Sequence, residues 1–205
     1  MKYRTIEKTG DKISLLGFGA MRLPVLNGDD GKINETEAIR MIRSAIDRGV
    51  NYVDTAYVYH EGFSEVAVGK ALKDGYREKV FLADKLPIWL TRTEEDIYEL
   101  FDTQLKRLET DRIDMYLVHS LSADSWKHTK KLNTLEHLEK KKAEGKIKYI
   151  GFSFHDDFDT FQEILEYYPW DFCQIQLNYM DADFQAGVKG LKLAASTGVP
   201  VIIMA

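Results

Sequence analysis

Six short, apolar, β-rich runs recur along this chain at nearly even intervals, and that rhythm limits the folds open to it. They centre on Val53, Leu82, Tyr116, Tyr149, Ile175 and Ile202, at steps of 29, 34, 33, 26 and 27 residues. A strand that must be followed by a crossover helix before its parallel neighbour needs about 30 residues per unit. An earlier run, Leu15-Leu16-Gly17-Phe18-Gly19, starts the series. Residues 2 to 14 fall outside it. Tyr3-Arg4-Thr5-Ile6 and Lys12-Ile13-Ser14-Leu15 flank Thr9-Gly10-Asp11, the pattern of a β-hairpin.

Helical signals fill the gaps. Asn34-Glu35-Thr36-Glu37 opens the first helix with a polar cap and early acids, and Gly49 stops it. A second helix runs from Ser64-Glu65 to about Asp74-Gly75. Thr93-Glu94-Glu95-Asp96 caps a third, whose apolar face is Ile97, Leu100, Phe101, Leu105 and Leu108. A fourth carries Leu132, Leu135, Leu138 and Ala143, a fifth Phe158, Phe161, Ile164 and Leu165, and a sixth spans Ala186 to Thr197.

Seven repeat strands and six helices make an α/β chain. They fit a (β/α)8 barrel short of its last unit, led by a hairpin, with residues 1–205 as a single domain. A doubly wound open sheet fits the strand count equally well.

The net charge of −5 works against binding nucleic acid or an anionic membrane. The basic run Lys140-Lys141-Lys142 reads as the last turn of a helix, where cations complement the dipole. One cysteine, Cys173, provides neither a disulfide framework nor a complete cysteine metal site, and its apolar neighbours mark it as a core residue. The N-terminus has no apolar signal segment, and no run is long enough to cross a bilayer, so a cytoplasmic protein is expected.

In parallel β/α folds the chemistry gathers at the carboxyl ends of the strands. There the chain has Asp54 with Tyr59 close behind, then Lys85, His119, Ser153 with His155, and Gln174 with Asn178. Singly, each has an ordinary structural use. Asp54 can cap a helix, His119 can be a satisfied core histidine, and Lys85 before Pro87 can be a solvated loop residue. As a set, Asp, Tyr, Lys and His suit acid-catalysed carbonyl reduction. A free tyrosine, with a pKa near ~10, is a weak acid at neutral pH. A buried ammonium beside it favours the phenolate and lowers that pKa, while a carboxylate keeps the ammonium charged. The histidine can then orient the carbonyl oxygen.

Asp54-Thr55-Ala56-Tyr57-Val58-Tyr59, Gly62-Phe63-Ser64-Glu65-Val66-Ala67-Val68-Gly69, Lys85-Leu86-Pro87 and Tyr116-Leu117-Val118-His119 together resemble the aldo-keto reductase superfamily, over essentially the whole chain. The resemblance implies a (β/α)8 barrel, NADPH as hydride donor, and a small-molecule aldehyde or ketone as substrate. It makes Tyr59 the acid, gives Lys85 and Asp54 the tuning of it, and leaves His119 to position the substrate. It places the nicotinamide carboxamide on Ser153 and Gln174, assisted by Asn178, with Ala20, Met21 and Arg22 lining the cofactor. No metal is implied.

Trp170 to Tyr179 and Gly151 to Asp156 look like a branch whose members often carry an iron–sulfur domain after the barrel; a single cysteine cannot hold such a cluster. The chain departs from the family in two respects. Asp84 precedes Lys85 where relatives have a small or hydroxyl residue, and its direction is open at this stage. Relatives also continue past residue 205, so an incomplete barrel and a piece of a longer reductase are expected. Two other readings compete with the enzyme: a cofactor-binding regulatory barrel and an inactive fragment. Trp89, Trp126 and His60 are candidates for the pocket lining or for plain loop packing.

Overall fold

The computed structural model describes residues 1–7 and 9–204. The chain divides into two compact units, Met1–Lys85 with Glu99–Met115, and Leu86–Tyr98 with Tyr116–Ala205.

The first unit opens on the expected hairpin. β1 (Tyr3–Thr5) pairs antiparallel with β2 (Lys12–Ser14), Arg4 opposite Ile13. Asn51 ties this hairpin to the strand series, accepting the Ser14 N–H at 2.7 Å and donating its own N–H to Ser14 Oγ at 3.0 Å. β3 (Phe18–Gly19), β4 (Tyr52–Asp54) and β5 (Phe81–Leu86) then pair in parallel.

Helix α1 (Glu35–Asp47) intervenes, capped by Asn34 Oδ1 on the Glu37 N–H at 3.3 Å and burying Ala38, Ile42 and Ile46. It ends at Gly49, whose φ of 96° an L side chain rarely adopts. Helix α2 (Phe63–Ala71) stops sooner than its sequence signals suggest, because Asp74 and Gly75, at φ 57° and 80°, form the turn beyond it. A Cβ on Gly69 would lie 2.6 Å from the Leu108 carbonyl oxygen, so glycine allows α2 to close on the end of α3 (Glu94–Leu108).

In the second unit β7 (Ile147–Phe154), β8 (Phe172–Gln176) and β9 (Val201–Met204) pair in parallel. Helices α5 (Thr134–Ala143), α6 (Phe158–Tyr167) and α7 (Gly187–Ser196) match three of the expected six, and Lys140, Lys141 and Lys142 do lie in the last turn of α5. The sequence count of six falls one short: α4 (Ala123–Lys131) makes seven α-helices among the described residues. Its apolar signal is weak because only Trp126 and Thr129 are buried; a capping box between Ser122 and Ser125 sets its start. Phe152, Phe161, Trp170 and Trp126 pack as a fully buried aromatic cluster. Each such side chain contributes roughly 1.5–3 kcal/mol by leaving water. Cys173 is buried, and burial pushes its thiol up to about 12, which makes it inert.

β6 (Ile113–Leu121) runs through the division between the units. The strands β3 to β9 follow one another in the sheet in chain order. A doubly wound sheet requires a reversal of order, so the barrel-type series is the one this chain adopts.

Candidate active site

Strand register brings the first candidates together. Asp54 on β4 lies opposite Ala83 on β5. Side chains alternate along a strand, so Lys85, two residues past Ala83, shares the face of Asp54, while Asp84 takes the opposite one. Lys85 is 1% exposed, yet all three protons of its ammonium are taken. Nζ donates to Asp54 Oδ1 at 2.5 Å, to the Thr55 carbonyl at 2.7 Å and to the Tyr59 hydroxyl oxygen at 3.3 Å. Tyr52, two residues before Asp54 and therefore on its face, donates its hydroxyl to Asp54 Oδ2 at 3.3 Å. Asp54 thus serves the lysine, and the helix-cap reading falls.

The electrostatics correct one expectation. Burial pushes the Tyr59 hydroxyl up; Lys85 pulls it down and Asp54 pushes it up again, and the net shift is above the ordinary tyrosine value. The ammonium limits the rise and does not reverse it, because desolvation of a phenolate outweighs one nearby cation that is already neutralised by Asp54. For Lys85, burial acts to lower the pKa, but Asp54 and Tyr59 more than offset it, and the group stays charged.

The loop behind Tyr59 is held by a residue whose role the sequence left open. His60 Nε2 accepts the Leu23 N–H at 2.9 Å, which places the ring proton on Nδ1, 3.0 Å from the Asp30 carbonyl oxygen. His60 is buried, and both it and Glu61 are in the left-handed region, at φ 51° and 55°. The two ring bonds clamp the segment that follows β3 to the segment that carries Tyr59. His60→Ala would leave the buried Leu23 N–H without an acceptor, so a loss of about 1–3 kcal/mol is expected in urea denaturation. In that clamped segment Ala20 is buried, donating its N–H to the Asp54 carbonyl at 2.8 Å and accepting from Ser64 Oγ at 2.9 Å, whereas Met21 and Arg22 are exposed.

The second unit carries the remaining candidates. His119, near the carboxyl end of β6, is 8% exposed, and the half-exposed ring of Trp89 lies 5.0 Å from it. The next residue, Ser120, has φ 56°, and its N–H donates to Ser153 Oγ at 2.7 Å. Ser153 and Gln174 face each other across β7 and β8 in the strand register, both buried. Asn178 is turned inward on its own loop: Oδ1 accepts the Met180 and Asp181 N–H groups at 2.8 and 3.0 Å, and Nδ2 donates to Asp181 Oδ2 at 3.1 Å. Trp126 proves to be core, packed on Tyr167 and Trp170 and donating to Glu163. His155 is exposed. Among the described residues no cluster of three or more His, Cys, Asp or Glu could hold a metal ion, and no helix is long and apolar enough to cross a membrane.

The sequence reading passed over two parts of this arrangement. Tyr52 could have been found, since i and i+2 on a strand share a face. The Thr55 carbonyl could not, because a backbone acceptor leaves no mark on residue type.

Comparison with known proteins places the chain among relatives. The model of the Aldo/keto reductase family matches residues 15–205. A probable aldo-keto reductase 1 of Glycine max is 30% identical over 201 residues, covering 94% of this chain and 56% of that protein. The chain spans little more than half the length of the curated relatives it matches. Among solved structures, the aldo-keto reductase AKR11C1 from Bacillus halodurans in its holo form superposes with a TM-score of 0.80 at 30% identity, over 99% of this chain and 65% of that one. An aldo-keto reductase from Klebsiella pneumoniae in complex with NADPH gives a TM-score of 0.76 at 25% identity, over 100% of this chain and 68% of that one. With a family match over residues 15–205, the chain belongs to the aldo/keto reductase family.

Proposed function

We propose that this protein reduces a small aldehyde or ketone to an alcohol with NADPH, Tyr59 being the acid. The observation that carries the reading is the Lys85 ammonium bridging Asp54 Oδ1 and the Tyr59 hydroxyl in a buried site. An ammonium held charged by Asp54 and in contact with the tyrosine oxygen is what an acid that must release a proton onto an alkoxide needs. Because Tyr59 oxygen accepts from Lys85, its own proton is not used in that bond and serves for transfer. The charged Lys85 stabilises the phenolate that transfer leaves behind, and Asp54 holds Lys85 in place and in its charged form. Tyr52, donating to the second oxygen of Asp54, fixes the carboxylate. His119 is assigned the orientation of the carbonyl oxygen by family likeness.

The residues present suit a nicotinamide. Its carboxamide offers one acceptor and two donors. Ser153 and Gln174, side by side, offer a hydroxyl and a second carboxamide, and the bond from Ser120 uses Ser153 only as acceptor. When bound, the cofactor supplies the hydride. Ala20, Met21 and Arg22 are assigned to its lining by the same likeness, and Asn178, engaged within its own loop, to a supporting position there.

NADPH titrated against the protein is expected to quench tryptophan fluorescence, with Trp89 as the exposed reporter. Ser153→Ala or Gln174→Ala should weaken that binding about tenfold, one hydrogen bond being worth roughly 0.5–1.5 kcal/mol. Turnover of a carbonyl panel by the same sample then separates a reductase from a cofactor-binding barrel. Absence of NADPH binding would sink the reading.

A further inference from the structure

Behind Lys85, on the opposite face of β5, lies a second group of buried charges that the proposed reduction does not use. Asp84 and Glu65, on α2, are both 0% exposed. One oxygen of each is satisfied: Asp84 Oδ1 accepts the Lys85 N–H at 2.8 Å, and Glu65 Oε2 accepts Arg107 Nη1, from α3, at 2.7 Å. The other oxygens, Asp84 Oδ2 and Glu65 Oε1, are buried without a hydrogen-bond donor, and the two carboxyls lie near enough that Glu65 acts on the Asp84 carboxyl. Ionised carboxylates only accept, so one proton taken up by the pair would give both orphaned oxygens a partner.

The surrounding charges leave no other source of balance. Lys85 commits its three ammonium protons to Asp54, Thr55 and Tyr59 on the far side of the strand. Arg107 is committed to Glu65, to the Tyr57 carbonyl at 3.2 Å and to the face of the Tyr57 ring at 4.2 Å. Gln104, also on α3, donates to the Lys85 carbonyl, and Asp114 on β6 is taken up by Arg77 and the Leu82 N–H. Three buried carboxyls, Asp54, Asp84 and Glu65, are therefore set against two cations, the buried Lys85 and the part-exposed Arg107. A third negative charge there would have no partner, a state that buried groups avoid by taking up a proton.

We infer that Asp84 and Glu65 share one proton at neutral pH, with Asp84 the neutral acid donating to a Glu65 paired with Arg107, and that Asp84 is thereby a tuning residue for the Lys85–Tyr59 pair. Burial first, and then Glu65, hold the Asp84 carboxyl well above the usual carboxylate range. An ionised Asp84 would push the Tyr59 hydroxyl further up and make it a weaker acid. The tuning role rests on the reductase reading; the shared proton does not.

The test begins with the unmodified protein. Carbon-13 NMR of protein labelled at the aspartate carboxyls should show one resonance in the protonated range between about pH 5 and pH 8, above the ordinary carboxylate pKa near 3.9. In infrared spectra the matching protonated-carboxyl band should vanish in Asp84→Asn, whose amide keeps both hydrogen bonds. Absence of any protonated carboxyl overturns the inference.

Stability offers an independent sign. A raised folded pKa makes the native state bind more protons than the unfolded chain, so the wild type should lose stability relative to Asp84→Asn as pH rises above the ordinary Asp range. An Asp84 ionised against Lys85 predicts the opposite, the wild type gaining. For the tuning role, the wild-type rate should fall at alkaline pH before that of Asp84→Asn. Identical pH–rate profiles with the carboxyl band present would overturn the tuning and leave the shared proton. No turnover in either protein, with the band present, would overturn the reductase reading, and with it the tuning.

Discussion

Tyr59→Phe is expected to lower kcat/KM for carbonyl reduction by roughly 10²–10⁴-fold, the usual contribution of a positioned general acid. NADPH affinity should stay within about twofold, a change well below one hydrogen bond in energy, because the hydroxyl lost is the one bonded to Lys85. Fluorescence titration and steady-state kinetics on the same samples read both quantities. Since burial keeps the hydroxyl above its ordinary pKa, Tyr59 is fully protonated through the neutral range. The wild-type reduction rate should therefore show no inflection from this group at neutral pH. Loss of the acid belongs to pH values above about 10, the ordinary tyrosine range. A Phe variant with unchanged kcat/KM would remove Tyr59 from the chemistry.

The second large effect is that of Lys85→Met, which should cost both activity and stability. It leaves Asp54, 8% exposed, as a buried carboxylate without its cation. Breaking such a pair from one side typically destabilises by about 3–5 kcal/mol. Urea denaturation at neutral pH measures this.

The pH dependence follows from the raised folded pKa of Lys85. The stability it contributes is fully present below the ordinary lysine value near ~10.4 and is lost as pH rises through the folded one. The gap between wild type and Lys85→Met should thus be constant at neutral pH and narrow only in strong alkali. Asp54→Asn combined with Lys85→Met should recover part of the loss, since the double variant has no orphaned charge. Additive losses in the double variant would show that the two groups do not act as a pair.

Much of this was legible in residue order. The period of roughly 30 residues follows from the length of strand plus crossover, so it prescribed parallel strands and the positions of their ends. Asp54, Tyr59 and Lys85 could be picked out as candidates because side chains at or just beyond strand ends are where such chemistry gathers. Gly49 and Asn34 marked the limits of α1 because caps depend on local backbone geometry. Helix α4 was missed for the converse reason: with one buried aromatic and one buried threonine it has almost no periodicity, and Trp126, left open between pocket lining and loop packing, is core.

What the sequence determined, then, is what rests on clear local patterns: the strand series, six of the seven described helices, the hairpin, the core cysteine and the candidate groups at the strand ends. Tertiary structure alone decided where those groups are aimed and what they cost. Alternation and register put Lys85 with Asp54 and turned Asp84 away to Glu65. The Thr55 carbonyl completed the ammonium's bonds. Burial raised Tyr59 where a sequence argument from Lys85 alone expected it lowered. The physical reason is common to all three. Desolvation and hydrogen-bond saturation depend on every group within a few ångströms, and those neighbours come from positions far apart in the chain.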